Sequence, residues 1–178
     1  RAESRLPAAE RRVLAAAALA QLGPAALPAA RALVESLADE SAQVVFDARH
    51  TLGRIGVKAM PEIVTGLSSP SPRVRVESAR LLGLPPFDAE SGSWADAMVA
   101  ATRDRESQVR ASAIVALSRT HDAGRVAIIE QALCDPDFGV RISAAWRLGE
   151  IGPEAVSAAP TLRKTLADQH PRVRIASA

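Results

Sequence analysis

The chain has 178 residues, and its 22 basic against 20 acidic residues leave a formal charge of +2, too small to read as the electrostatic footprint of a nucleic-acid-binding protein. Its pI of 9.3 reflects a small surplus of Arg over acids where few other groups titrate, with Arg far outnumbering Lys. Aromatics are 3% with no Tyr, which argues against base stacking as a main mode of recognition, and the lone Cys134 excludes an internal disulfide.

No apolar run reads as a membrane span and no signal-peptide pattern is visible. Beginning at Arg1 and stopping inside a repeat, the sequence reads as part of a longer chain.

A helical period dominates. From residues 8 to 22 runs a degraded motif, Leu14, Ala18, Leu22 and Gly23. A partner helix bearing Leu33 and Leu37 follows, and then a clear copy at 42 to 53, Val44, Ala48, Leu52 and Gly53. Met60, Ile63, Val64 and Leu67 mark the next partner, before Val74, Arg75, Ser78, Leu82 and Gly83 over 72 to 83. The link from Gly83 to Ser93 contains Pro85-Pro86, which cannot continue a helix and predicts a loop or bend, either a partner contact or a tolerated insertion. Beyond it come Met98 and Val99, then Val109, Arg110, Ala113, Leu117 and Ser118 over 107 to 118. Val126, Ile129 and Leu133 precede the best copy, Val140, Arg141, Ala144, Leu148 and Gly149 over 138 to 149. Leu162 and Leu166 lead to a last, cut-off copy, Val173, Arg174 and Ser177.

Each motif places apolar or small side chains at i, i+4 and i+8, one face of a helix. Numbering the motif Val as position 0, the side chain at +4 is small in every copy, which predicts the closest helix approach there. Ser41, Ser71 and Asp137 stand at −3 as N-caps, with Glu106 and His170 as substitutes. Pro72 and Pro171 follow at the first helical position. Gly53, Gly83 and Gly149 are expected as left-handed C-terminal caps. The motif advances by about thirty residues per copy, the mark of a repeat array. The expected units are approximately 1–23, 24–53, 54–83, 84–118, 119–149 and 150–178, within one array over 1–178.

Val140 to Gly152, Val-Arg then a small residue then Leu-Gly-x-Ile-Gly, resembles HEAT repeats. It most resembles the short HEAT-like kind associated with phycobilisome lyases and found in many bacterial proteins. The resemblance implies an all-α fold, an α-solenoid or right-handed superhelix of stacked antiparallel helix pairs, armadillo-like in architecture. It further implies an Asp and an Arg six residues apart, forming a ladder along the stack: Asp104 with Arg110, Asp135 with Arg141, and Asp168 with Arg174. The rungs at Asp39 with Val45 and at Ser69 with Arg75 are incomplete. Two readings of these Arg residues stand: a charge-assisted, bidentate bridge between turn and helix, or a site for phosphate or an acidic partner.

Chemistry-bearing constellations are absent. His50, His121 and His170 lie in different repeats without zinc-type spacing. The residues after them, Thr51, Asp122 and Pro171, depart from the His-Glu pairs of HEAT-like deoxyhypusine hydroxylases. Asp135 and Asp137 lack the Gly and terminal Glu of a calcium loop, and Cys134 has no base and orienting group within its sequence neighbourhood. No cofactor, metal or catalytic residue is expected.

What remains is the outward face of the motif helices, positions −1, +3, +6 and +10, which the resemblance places on the concave side. His50, Arg54, Arg73, Arg80, Arg119 and Trp146 are its candidate partner-binding residues, a Trp anchor in a polar surround. The expected function is a non-enzymatic scaffold holding a protein or peptide. The alternatives are a nucleic-acid-binding solenoid resembling alkylpurine DNA glycosylases, and a bilin-lyase-like protein.

Overall fold

A computed structural model describes residues 7–87, 92, 94–120 and 124–177, and every regular element among them is helical. The α-helices are α1 Ala8–Leu22, α2 Ala30–Glu35, α3 Ala42–Ile55, α4 Met60–Gly66, α5 Pro72–Leu82 and α6 Ala95–Ala101. They continue with α7 Ser107–Ser118, α8 Arg125–Gln131, α9 Phe138–Ile151, α10 Ala159–Thr165 and α11 Pro171–Ala176. Single 3-10 segments, Gly23–Ala29, Gly56–Ala59 and Gly152–Ala158, lead into α2, α4 and α10. The fold is an all-α repeat solenoid, and the motif helices are α1, α3, α5, α7, α9 and α11.

The chain falls into two compact units, Arg1–Leu81 and Leu82–Ala178. In the first, α1 packs on α3 and α2 on both α3 and α4. In the second, α7 packs on α9, α9 on α11, and α8 on both α7 and α9. Within each unit these motif helices contact each other directly, and the shorter partner helices pack against them. The +4 residues sit at these contacts: Ala48, Ser78, Ala113 and Ala144 are each fully buried. Gly66 of α4 comes so near α5 that a Cβ built on it would lie 2.2 Å from the Ser78 hydroxyl. In the second unit Ile114, Ile129, Leu133, Ala144 and Leu148 form one apolar cluster.

The first copy is in a different register from the one the sequence suggests. Leu14 and Leu22 are 56% and 57% exposed, and Ala16 is the buried residue of α1. Gly23 ends α1 at φ 55, as Gly56 ends α3 at φ 70 and Gly152 ends α9 at φ 69. Those last two stand at +12, so position 0 of α1 is Arg11 and Arg12 takes the motif Arg place. In so Ala-rich a helix almost any stripe can pack, and Leu14 and Leu22 lie on an exposed one.

The caps also differ. Gly53 and Gly149 are inside α3 and α9 rather than at their ends, and Gly83 is not among the positive-φ glycines. The helices run on to Ile55 and Ile151, whose side chains are buried or half-buried, so the second Gly of the Gly-x-Ile-Gly run is the cap. Gly83 has another reason: a Cβ there would lie 2.9 Å from the Cα of Ala116 on α7.

Helical residues Ala8–Ala38 meet the length and composition of a spanning helix, with a most apolar window of mean hydropathy 1.6, which corrects the expectation that no such run exists. The stretch is nevertheless broken at Gly23, and α1 alone has 15 residues, against the roughly 20 a span requires. The Gly83 to Ser93 link is a run of turns and a bend over its described residues 83–87, and it leads into buried aromatics. Phe87 and Trp94 are each 1% exposed, and the Trp94 indole N–H donates to the Phe87 carbonyl at 2.9 Å. Phe87 within the link and Trp94 just after it are therefore core, since a buried Trp removes the largest apolar area of any side chain while its N–H keeps a partner.

The glycine assignment is open to a direct check by thermal melting. Gly152→Ala should destabilise by on the order of 1–3 kcal/mol, because its backbone conformation disfavours a Cβ. Gly149→Ala, within a helix and with nothing within 4 Å of the added Cβ, should instead stabilise by up to about 1 kcal/mol.

Candidate binding surface

The motif Arg side chains form the polar frame behind the surface. Arg141 donates from Nε and Nη2 to the two carboxylate oxygens of Asp168, both at 2.9 Å, and from Nη1 to the carbonyls of Asp135 and Pro136 at 2.9 and 3.2 Å. Arg110 does the same one repeat earlier, meeting Asp135 at 2.7 and 2.6 Å and the carbonyls of Asp104 and Arg105 at 3.0 and 3.2 Å. Arg12 meets Asp39 at 2.7 Å, and Arg174 holds the carbonyls of Asp168 and Gln169. The residue six places before Arg110, Arg141 and Arg174 therefore supplies a backbone carbonyl, and for Arg12, Arg110 and Arg141 the carboxylate comes from the next repeat.

The Asp of each rung also organises its own turn. Oδ1 of Asp39, Asp104, Asp135 and Asp168 accepts the N–H two residues on, each at 2.8 Å. That residue is the N-cap, and among these only Asp137 and His170 use their own side chains for capping, Asp137 toward Gly139 and Val140 and His170 toward Arg172. The carboxyls respond. The Arg141 guanidinium holds Asp168 below the usual carboxylate range, with burial opposing and the His170 N–H assisting. Burial alone would raise Asp135, but its bonds to Arg110 and to the Asp137 N–H more than offset that and leave it lowered. Asp39 is lowered chiefly by the Ser41 N–H and then by Arg12. Asp168 and Asp135 raise Arg141 and Arg110 in turn.

One rung is missing as a whole. Val45 occupies the Arg place of α3 and Ser69 the Asp place of the following turn, so the two incomplete six-residue pairs in the sequence are the two ends of one inter-repeat bridge. Ser69 keeps the local role, its hydroxyl accepting the Ser71 N–H at 3.2 Å. Beside it lies a cleft of about 260 Å³ with Val34, Gly66 and Val74 among its lining and Arg31, Glu35 and Glu62 at its edge.

The candidate partner-binding residues fall in both units. In the first, the Arg54 Nη1 donates to the Ala20 carbonyl at 2.7 Å, over the end of α1. Arg73 reaches the Ala38 carbonyl at 3.5 Å, Arg80 pairs with Glu77 at 2.8 Å, and His50 stacks on the exposed Phe46 ring at 6.2 Å. In the second, Arg119 donates to the Gly83 carbonyl in a short bond, and Trp146 is 56% exposed. Arg54 and Arg119 both stand at +10 and bond the +9 carbonyl of the preceding motif helix, where a cation also suits the helix dipole. Position +3 turns inward rather than outward: Asp47 and Ser112 are buried, because adjacent motif helices cover that side as well as +4.

His121 and Asp122 lie outside the described residues. Cys134 is exposed, and among the described residues no group of three or more His, Cys, Asp or Glu is placed to hold a metal.

Residues 95–178 match the family model for HEAT repeats. Over that segment the chain is similar to HEAT repeats. Solved structures extend the likeness of fold to nearly the whole chain. An engineered protein shares 22% identity at a TM-score of 0.55, covering 99% of this chain and 90% of its own. A designed armadillo repeat protein, solved in complex with the peptide (KR)4, shares 16% identity at a TM-score of 0.55, covering 93% and 88%. Cex1p shares 16% at a TM-score of 0.56, covering 82% of this chain and 33% of its own. A comparison with curated protein sequences found no match.

The inter-repeat bridges differ in burial, and their energies should follow. The Arg141 and Asp168 side chains are 8% and 12% exposed, whereas Arg12 is 46% exposed. Arg141→Met, measured by chemical denaturation, should cost on the order of 3–5 kcal/mol, and Arg12→Met no more than about 1 kcal/mol. The lowered carboxyls add stability that is fully present above about pH 3.9, their unfolded value, and is lost as pH falls through their lower folded values. Arg141→Met should flatten that acid limb.

Installing the missing bridge gives the complementary check. Val45→Arg with Ser69→Asp should gain on the order of 1 kcal/mol over the sum of the two single changes in a double-mutant cycle. Each single change alone should be neutral or destabilising, since it adds a half-buried charge without its partner.

Proposed function

We propose that the chain is a non-enzymatic scaffold module that holds a protein or peptide on the outward face of its motif helices. Trp146 carries the reading. It sits at +6 of α9, a helix whose Val140, Ala144 and Leu148 are buried, yet more than half of its own surface is open. A large rigid aromatic left exposed between packed repeats suits an interface anchor, the residue type that dominates binding energy when a partner covers it. The designed armadillo repeat protein solved with a bound peptide supports a peptide-sized partner for this architecture.

The nucleic-acid alternative draws less support. Arg80 shares its face with Glu77 and Asp47, so a phosphate track there would run over two carboxylates. Nothing in the geometry favours the bilin-lyase alternative.

Peptide display against the immobilised chain, followed by calorimetry of the enriched sequences, tests the reading. Trp146→Ala should weaken them by about 2 kcal/mol, roughly thirtyfold, while Val156→Ala, at a residue 74% exposed in the turn before α10, should leave them unchanged. Enriched peptides indifferent to Trp146 would remove the site from this helix.

A further inference from the structure

The outward positions of α3 and α5, in the first unit, are charged in layers. Arg49 and Arg80 have side chains 43% and 52% exposed, and Arg54 and Arg73 are exposed as well. The carboxylates among them are sunk: Asp47 is 7% exposed and the Glu77 side chain 13%. Glu77 receives both Arg80, at 2.8 Å, and Arg49, at 3.4 Å, so one anion holds two cations from adjacent repeats. Arg54 and Arg73 bond backbone carbonyls, which neutralise no charge. Arg73 also acts on Asp39, which Arg12 already bridges, so five cations over three sunken anions leave a surplus of two positive charges at the solvent edge. Beside them Phe46 is 63% exposed, its ring parallel to His50.

We infer that this α3–α5 face docks an acidic peptide segment carrying an apolar residue for Phe46. The inference rests on the scaffold reading and gives it a partner chemistry. Glu77 pre-orders Arg49 and Arg80, so little side-chain freedom is lost when a second carboxylate arrives. The remaining guanidinium donors of Arg54 and Arg73 extend the cationic strip toward opposite ends of the helices, at +10 and −1, a length suited to an extended segment. A nucleic acid fits less well, because a phosphate track would run over Asp47 and Glu77 and the surplus charge is small against the several phosphates such binding neutralises.

Fluorescence anisotropy with fluorescein-labelled octaglutamate, octalysine and an eight-residue oligothymidine tests it on the intact chain. Octaglutamate should bind and weaken as salt rises from about 50 to about 300 mM, and octalysine should not bind. Arg73→Glu with Arg80→Glu should lower octaglutamate affinity at least roughly tenfold with helix content by circular dichroism unchanged. Arg163→Glu with Lys164→Glu makes the same change of net charge on α10 and should have little effect. No octaglutamate binding, oligothymidine binding in its place, or equal loss in both double variants would overturn the inference. Display-selected peptides that need Trp146 but carry no acidic residue would end it too, while leaving the scaffold reading standing.

Discussion

Stability of the polar layer depends on one guanidinium doing two jobs. In Arg141, Nη1 holds two carbonyls of the turn before its own helix, and Nε and Nη2 clamp a carboxylate one repeat later. Turn carbonyls have no helical partner, and left buried and unpaired each would carry its desolvation cost. The planar fork of Arg can meet carbonyls on one side and a carboxylate on the other, which a Lys ammonium cannot do with the same geometry. Since Asp168 in turn accepts the N–H of its own N-cap, each rung ties a local turn to a neighbouring repeat. Local and long-range preferences then agree, the condition under which a sequence specifies one arrangement.

That coupling explains the form of the gap. If only Val45 replaced Arg, an Asp at 69 would stand partly buried without its cation; if only Ser69 replaced Asp, a lone guanidinium would. Losing both is cheaper than losing either, because a buried charge without a partner costs more than the pair contributes. Ser69 preserves the part of the Asp role that a hydroxyl can perform, accepting the Ser71 N–H, and gives up the part that needs a negative charge. Packing takes over nearby, where Gly66 lets Val34 and Ser78 approach closely.

The sequence made the helices legible because their spacing is repeated, and it misled where one residue type serves two purposes. Motif helices fall within two residues of their expected ends, since a buried stripe with small +4 residues admits few alternatives. Asp and Arg six apart looked like mutual partners, but sequence distance within a repeat says nothing about the neighbour some 25 residues on, and the stack decides between them. Gly53 and Gly149 looked like caps because glycine marks helix ends; Gly56 and Gly152, three residues later, carry the positive φ. Phe87 and Trp94 gave no periodic signal at all, being single core residues flanking an irregular link. Their bulk and apolar character were the available clue.

The candidate surface was the least legible part, for a reason built into repeats. Inward positions must satisfy the same neighbours in every copy, so they barely vary. Outward ones answer to nothing in the stack: position +6 holds His50, Arg80, Val115 and Trp146 in four successive helices. Yet an outward Arg can still be recruited inward by its length. Arg54 and Arg119 at +10 fold back onto the end of the preceding helix, where Leu84 and Glu150 occupy the same position in their own repeats. Recognition by this fold therefore rests on residues too short or too rigid to be recruited, above all Trp146, and on cations whose carboxylate is already shared, as with Arg49 and Arg80 over Glu77. Those are the side chains whose remaining valence points outward.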